Sequence, residues 1–306
     1  MSQETAKKTV LRVAVAAMAV SGILSAAKGA AWLTGGSEAM LASLVDSLTD
    51  FGVAVSSFFA MRYALQPADE DHRYGHGKAE GIAALVQAAF IAGSCLFVFL
   101  QSAYAFFNPV IPTQIGLSIA VQVFGIIITI MLTQFQRRAI QATGSLAIEA
   151  NAAQYTADAA VSAGIIVSLL AGKHLNWYWI DPVTAICVAI WLLLSAREIG
   201  TKAINMLLDR ELDDKTRQDI MTIIRSTPGV EGLHDFRTRK SGMNIHVSFD
   251  IEVDPKLTLE VAHDISRAVE AGIIAKYRNA EVMIHLDPVG DITDSRHHKI
   301  KEFHAR

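Results

Sequence analysis

Met40-Leu41-Ala42-Ser43-Leu44-Val45-Asp46-Ser47-Leu48-Thr49-Asp50-Phe51-Gly52-Val53-Ala54-Val55-Ser56-Ser57-Phe58-Phe59-Ala60-Met61-Arg62-Tyr63-Ala64-Leu65 decides the class of this chain. A bilayer core of about 30 Å is crossed by about 20 mostly apolar helical residues. The run is long enough, and apart from Arg62 near its end its charges are two carboxylates, Asp46 and Asp50. An i, i+4 spacing puts both on one helix face. Further segments of spanning length lie at 10–34, 79–107, 115–136, 145–172 and 177–205, giving six in all. Short polar or turn-rich joints separate them: Thr34 to Ser37, Gln66 to Lys78, Asn108 to Thr113, Arg137 to Gly144, and Gly172 to Asn176. The first apolar run follows Lys7, Lys8 and Arg12, as in a secretory signal, but five more segments make it the first span.

Composition agrees. The chain is 52% hydrophobic and 19% charged, and most of its acidic and basic residues lie from Asp209 onward. That asymmetry predicts a transmembrane domain over 1–208, a soluble domain over 209–290 and a polar tail over 291–306. Lys and Arg crowd the N-terminus, the second joint (Arg73, Lys78), the fourth joint (Arg137, Arg138) and the exit of the sixth segment (Arg197, Lys202). The first and third joints have none, so both termini are expected in the cytoplasm. A net charge of -3 does not favour a nucleic-acid partner. Cys95 and Cys187, both in apolar runs, make no thiolate cluster.

The fifth segment answers the second with Gln154 and Asp158, again i, i+4, and Asn151 one turn earlier. Carboxylates at membrane depth are costly unless paired, metal-bound or facing water. With no Lys or Arg expected near mid-depth, a divalent cation would neutralise Asp46, Asp50 and Asp158; a hydrogen-bonded cluster or a proton relay is the plainer alternative. The joint after segment two holds Asp69, His72 and His76, either ligands for a borderline metal or a solvated polar loop.

Several stretches now resemble the cation diffusion facilitator family, in its bacterial YiiP-type zinc/iron efflux branch. They are Ala42 to Ser47, Pro67 to His72, Tyr74-Gly75-His76-Gly77-Lys78-Ala79-Glu80, Leu207-Leu208-Asp209-Arg210, Leu233-His234-Asp235 with Arg237-Thr238-Arg239, and His285-Leu286-Asp287-Pro288. The resemblance implies a homodimer in the lipid bilayer that exchanges cytoplasmic divalent metal for protons. It implies a transport site at Asp46, Asp50, Gln154 and Asp158, and a loop site at Asp69, His72 and His76. Lys78 and Asp209 match a pair that locks the membrane halves of the dimer by a salt bridge; as residues alone they are two juxtamembrane charges. The chain departs from the branch at Gln154 and Asp250, where the branch has His. Oxygen ligands suit harder ions than imidazole does, so zinc selectivity is expected to weaken relative to manganese or ferrous iron. Gln154 is expected to coordinate the ion or to orient Asp158; the plainer alternative is a hydrogen bond to a carboxylate.

From Asp213 helix and strand signals alternate: a helix over 213–225, strands over 232–239 and 244–253, a helix over 258–277 and a strand over 280–286. The order αββαβ predicts a small α+β cytoplasmic domain similar to metallochaperone folds. Its candidate ligands are His234, Asp250, His263, His285 and Asp287; His246, on the face of Asp250, is expected as an exposed strand residue, with a substitute ligand as the alternative. His297, His298 and His304 fall in the tail. The chain is thus expected to be a secondary transporter for Zn, Fe, Mn or Cd, not an enzyme and without a prosthetic group. HExxH and GxxxxGK[ST] motifs are absent from it. A membrane metal sensor or scaffold is the competing class, and it needs no carboxylates at membrane depth.

Overall fold

A computed structural model describes residues 3–35, 38–107, 115–175 and 180–290. Six long helices come first: α1 (Gln3–Gly35), α2 (Glu38–Ala64), α3 (Lys78–Phe107), α4 (Ile115–Thr143), α5 (Leu146–Leu175) and α6 (Ile180–Leu207). After them come α7 (Asp214–Arg225), β1 (Gly232–Ser241), β2 (Asn244–Val253), α8 (Leu259–Lys276) and β3 (Ala280–Pro288). The chain divides into two compact units, Met1–Ile204 and Asn205–Arg306. The expected joint at 108–113 and the histidines of the tail lie outside the described residues, as does the side chain of Asp46.

Among the described residues, four stretches are long and apolar enough to cross a membrane: Glu4–Ala30, Lys78–Tyr104, Ile119–Thr143 and Pro182–Leu207. The other two long helices, α2 and α5, carry Asp46, Asp50, Asn151, Gln154 and Asp158. Large apolar side chains such as Leu96, Phe97, Leu100, Met131 and Leu194 point outward, the surface that hydrocarbon requires. The fourth joint differs from expectation. Helix α4 continues through Arg137 and Arg138 to Thr143, because charges end an apolar run without ending a helix. It stops at Gly144, whose φ of 62° suits a residue without Cβ and whose N–H bonds the Ile140 carbonyl at 2.7 Å.

Small residues bring α1 and α2 together. Cβ positions built on Gly22 and Gly29 would lie 3.4 Å from Phe51 and 3.6 Å from Leu44, and the Ser25 hydroxyl lies 2.8 Å from the Ser47 carbonyl oxygen. Close approach through small residues and inter-helix hydrogen bonds is how helices associate where lipid removes the hydrophobic driving force. The Tyr155 hydroxyl donates to the Ala17 carbonyl at 2.9 Å, tying α5 to α1. Gln136 donates to Asn151 Oδ1 at 2.7 Å, tying α4 to α5. At the start of α5, the buried Glu80 of α3 accepts the Ala147 N–H at 3.2 Å. A carboxylate there satisfies one of the open N–H groups and opposes the positive end of the helix dipole. Glu80→Ala is therefore expected to destabilise the membrane unit by about 1–2 kcal/mol, with Glu80→Gln retaining most of it. Thermal unfolding of the purified protein measures this, and equal melting of Glu80→Ala and wild type would leave the cap without effect.

The second unit begins in the last turn of α6. Asp209 takes a left-handed φ of 55°, the Arg210 N–H reaches the Asn205 carbonyl at 2.9 Å, and the Asp209 N–H reaches that of Met206 at 3.4 Å. That pair of bonds is a Schellman closure with Asp in the place usually held by Gly. The order αββαβ is present. Strand β2 is central, antiparallel to β1 and parallel to β3, as a crossover through α8 requires. Odd-numbered β2 residues Val247, Phe249, Ile251 and Val253 pack with Ile220 and Ile224 of α7 and with Ala262, Val269 and Ile273 of α8. The even-numbered residues, Asp250 and Glu252 among them, face the other side. The ladder slips by one residue between His234 and Arg237, a β-bulge in β1, and Asp235 within it has a φ of 47°.

Candidate metal centres

Inside the membrane unit a cavity of about 200 Å³ is lined by Asp50 of α2 and by Gln154 and Asp158 of α5, with Ser21 and Lys28 of α1. The i, i+4 spacing in α5 turns Gln154 and Asp158 to the same side. Gln154 is buried, and its Nε2 donates to Asp50 Oδ1 at 2.8 Å. The amide thus orients Asp50, with its Oε1 left as the only Gln154 atom that could accept or coordinate. Asn151 turns away to its bond with Gln136. Lys28 was not anticipated: it is half-buried and lines the same cavity as the carboxylates, contrary to the expectation that no basic residue stands near them.

The joint between α2 and α3 folds Asp69, His72 and His76 into a cluster whose potential ligand atoms all lie within 4.8 Å of one another. Asp69 Oδ1 accepts the backbone N–H groups of Asp71 at 3.1 Å and His72 at 2.6 Å, and the His72 N–H bond above all holds its carboxyl below the usual range. Its Oδ2 lies 3.3 Å from His76 Nε2, and its Oδ1 lies 3.2 Å from His72 Nδ1. His76 is buried, with Tyr63 edge-on to its ring at 4.5 Å between centroids. Gly75, φ 75°, makes the turn that brings His76 back. Two imidazoles and a carboxylate at this separation fit a tetrahedral ion after small inward movements.

On the open face of the three-stranded sheet, His234 Nε2 lies 3.2 Å from Asp287 Oδ2 and 3.6 Å from Glu252 Oε1, and its Nδ1 lies 3.7 Å from Asp250 Oδ2. His285 Nε2 lies 3.1 Å from Asp287 Oδ1. The register pairs His234 with Asp250, Asp250 with His285, and Glu252 with Asp287, so five strand residues converge. Burial raises the Asp250 carboxyl above its usual range, and the neighbouring His234 and His285 oppose that. Ligand atoms of His234, Asp235 and Asp250 come within 4.8 Å of one another. His263 is not brought there. It is exposed on α8, the helix that covers the opposite face of the sheet. His246 is buried, with its Nδ1 3.2 Å from Glu281, so the expectation of an exposed residue is corrected.

Residues 14–208 match the model of the cation efflux transmembrane domain, and residues 212–289 match that of the cation efflux protein cytoplasmic domain. The chain belongs to the cation efflux family. A cation-efflux pump FieF of Shewanella oneidensis is 40% identical over 274 residues, 90% of this chain and 92% of that relative. A FieF of Escherichia coli is 40% identical over 281 residues, 92% of this chain and 93% of its own. A solved structure, the metal-bound C-terminal domain of the CzcD transporter from Thermotoga maritima, is 28% identical, with a TM-score of 0.25; the match covers 26% of this chain and 92% of that one. A cation efflux protein is a transporter with a multi-pass membrane domain, and its substrate is a metal cation.

Within this efflux protein, three residues escaped the sequence reading. Lys28 sits close to the end of its apolar stretch, so counting depth along the segment leaves it out. Glu252 was legible, because it shares a face with Asp250 at i+2. Asp235 was not, since alternation sends it away from His234 and only the bulge returns it. Of the pair Lys78 and Asp209, Asp209 lies 3.4 Å from Arg239 Nη1 within the second unit.

Proposed function

We propose that this chain is a divalent transition-metal/proton antiporter that exports Zn, Fe, Mn or Cd from the cytoplasm. In this reading it works as a homodimer in a bacterial inner membrane, with six spans and both termini cytoplasmic. The observation that carries it is the cavity on which Asp50, Gln154 and Asp158 converge across α2 and α5. Asp46, one turn from Asp50, completes the transport site. A divalent ion is the ligand that an apolar-walled cavity with several carboxylates accepts best. Protons then take the same carboxylates in alternation with the metal, which couples the two fluxes. Asp69, His72 and His76 form a second site, and the sheet face with His234, Asp250, His285 and Asp287 a third, outside the pathway. Lys78 with Asp209 joins the two membrane halves.

Proteoliposomes with a trapped pH indicator test the coupling. Adding Zn²⁺ or Mn²⁺ outside is expected to move protons in the opposite direction, in proportion to metal uptake. Metal uptake without proton movement would remove antiport. Binding without uptake would favour the sensor or scaffold.

A further inference from the structure

The transport cavity holds a charge of its own that no metal site uses. Among the described residues lining it, Lys28 is the one lysine or arginine, alongside Asp50 and Asp158. Its level follows from the antiparallel contacts of α1 and α2. Gly22 faces Phe51, Ser25 faces Ser47 and Gly29 faces Leu44, so Asp50 stands opposite residues 22–23 and Lys28 opposite residues 44–45. At 1.5 Å per residue, Lys28 lies about 9 Å along α1 from the level of Asp50, towards the α1–α2 joint. A lysine carries a compact charge on a flexible four-carbon stem, which lets the ammonium move while its backbone stays fixed.

We propose that Lys28 is a tethered counter-cation of the transport cavity. Its ammonium faces the carboxylates when no metal is bound, and an arriving divalent ion must displace it. This rests on the reading of Asp50, Gln154 and Asp158 as the transport site. Two opposing requirements explain why such a residue belongs there. Carboxylates in a low-dielectric cavity bind a divalent ion strongly, and a transporter must also let it go. A positive charge fixed to the wall repels the bound ion at every moment of its stay, weakening binding and speeding departure. It also leaves the metal-free cavity less anionic, so emptying it costs less. A monovalent cation, with half the attraction, competes poorly against a charge already in place.

The test is metal binding and release by the full-length protein at one fixed pH, with Zn²⁺ and Mn²⁺ as probes. The transport site is defined as the component of binding that Asp50→Asn removes. For that component, Lys28→Met and Lys28→Gln are each expected to lower Kd about tenfold and to slow chelator-induced release. Lys28→Arg, which keeps the charge, is expected to stay within about twofold of wild type. In vesicles the neutral variants should show a lower KM together with a lower kcat. Neutral variants that bind and release as wild type does would overturn the role of Lys28 while leaving the site intact. A Lys28→Arg shift as large as that of Lys28→Met would overturn it too, since volume and not charge would then be the cause. If Asp50→Asn removed no binding component, the transport site and this proposal would fall together.

Discussion

Asp50→Ala and Asp158→Ala are each expected to reduce metal flux by at least about two orders of magnitude while the protein still folds and inserts. Both carboxylates line one cavity, and removing either takes a carboxylate from the site proposed to hold a doubly charged ion. The folding cost is small by comparison. Asp50→Ala leaves the Gln154 amide without its 2.8 Å acceptor, a loss of about 1–3 kcal/mol that six packed helices can bear. Flux in proteoliposomes, beside gel-filtration and melting profiles of the same preparations, separates the two effects. Full flux in either variant would sink the assigned site.

Gln154→His is expected to shift transport towards Zn²⁺ relative to Mn²⁺ by about tenfold. The hydrogen bond from Gln154 to Asp50 sharpens the reason. A neutral imidazole has one N–H and one bare nitrogen, so it can keep the donation to Asp50 and offer the other nitrogen to the ion. The amide can offer only its oxygen. Zinc gains more from that exchange than manganese does, because nitrogen ligands suit the softer ion. Competition uptake with both metals in one vesicle preparation gives the ratio directly. An unchanged ratio would mean that position 154 serves Asp50 alone and touches no ion.

The long helices were legible because membranes impose an apolar length that charges interrupt visibly. Their ends were less so: Arg137 and Arg138 mark where α4 leaves the apolar stretch, not where it stops. The facing of Asp50 and Gln154 was implied by matched i, i+4 pairs, but which amide atom meets which oxygen depends on the packing of two helices a hundred residues apart. Glu80 was quoted only as part of a motif. Its task as the cap of α5 lies 67 positions away in sequence, and no local pattern announces it. In the cytoplasmic domain, alternation correctly set His285 beside Asp287. It failed at Asp235 because a bulge breaks the period on which it depends.

That bulge bears on how such a domain diverges. His234 and Phe236 are two apart, yet one looks to the open face and the other is buried in the core, because Asp235 is an added step in the ladder. Substituting Asp235 leaves the new side chain to occupy a left-handed backbone, which most residues resist. Deleting it restores a regular strand in which His234 and Phe236 keep their faces by ordinary alternation. A loss of one codon therefore discards a carboxylate and spares the sheet, whereas a point change discards the carboxylate and keeps the strain. Among descendants of this sequence, gaps rather than replacements at this position are the easier route to a cytoplasmic face with one acid fewer.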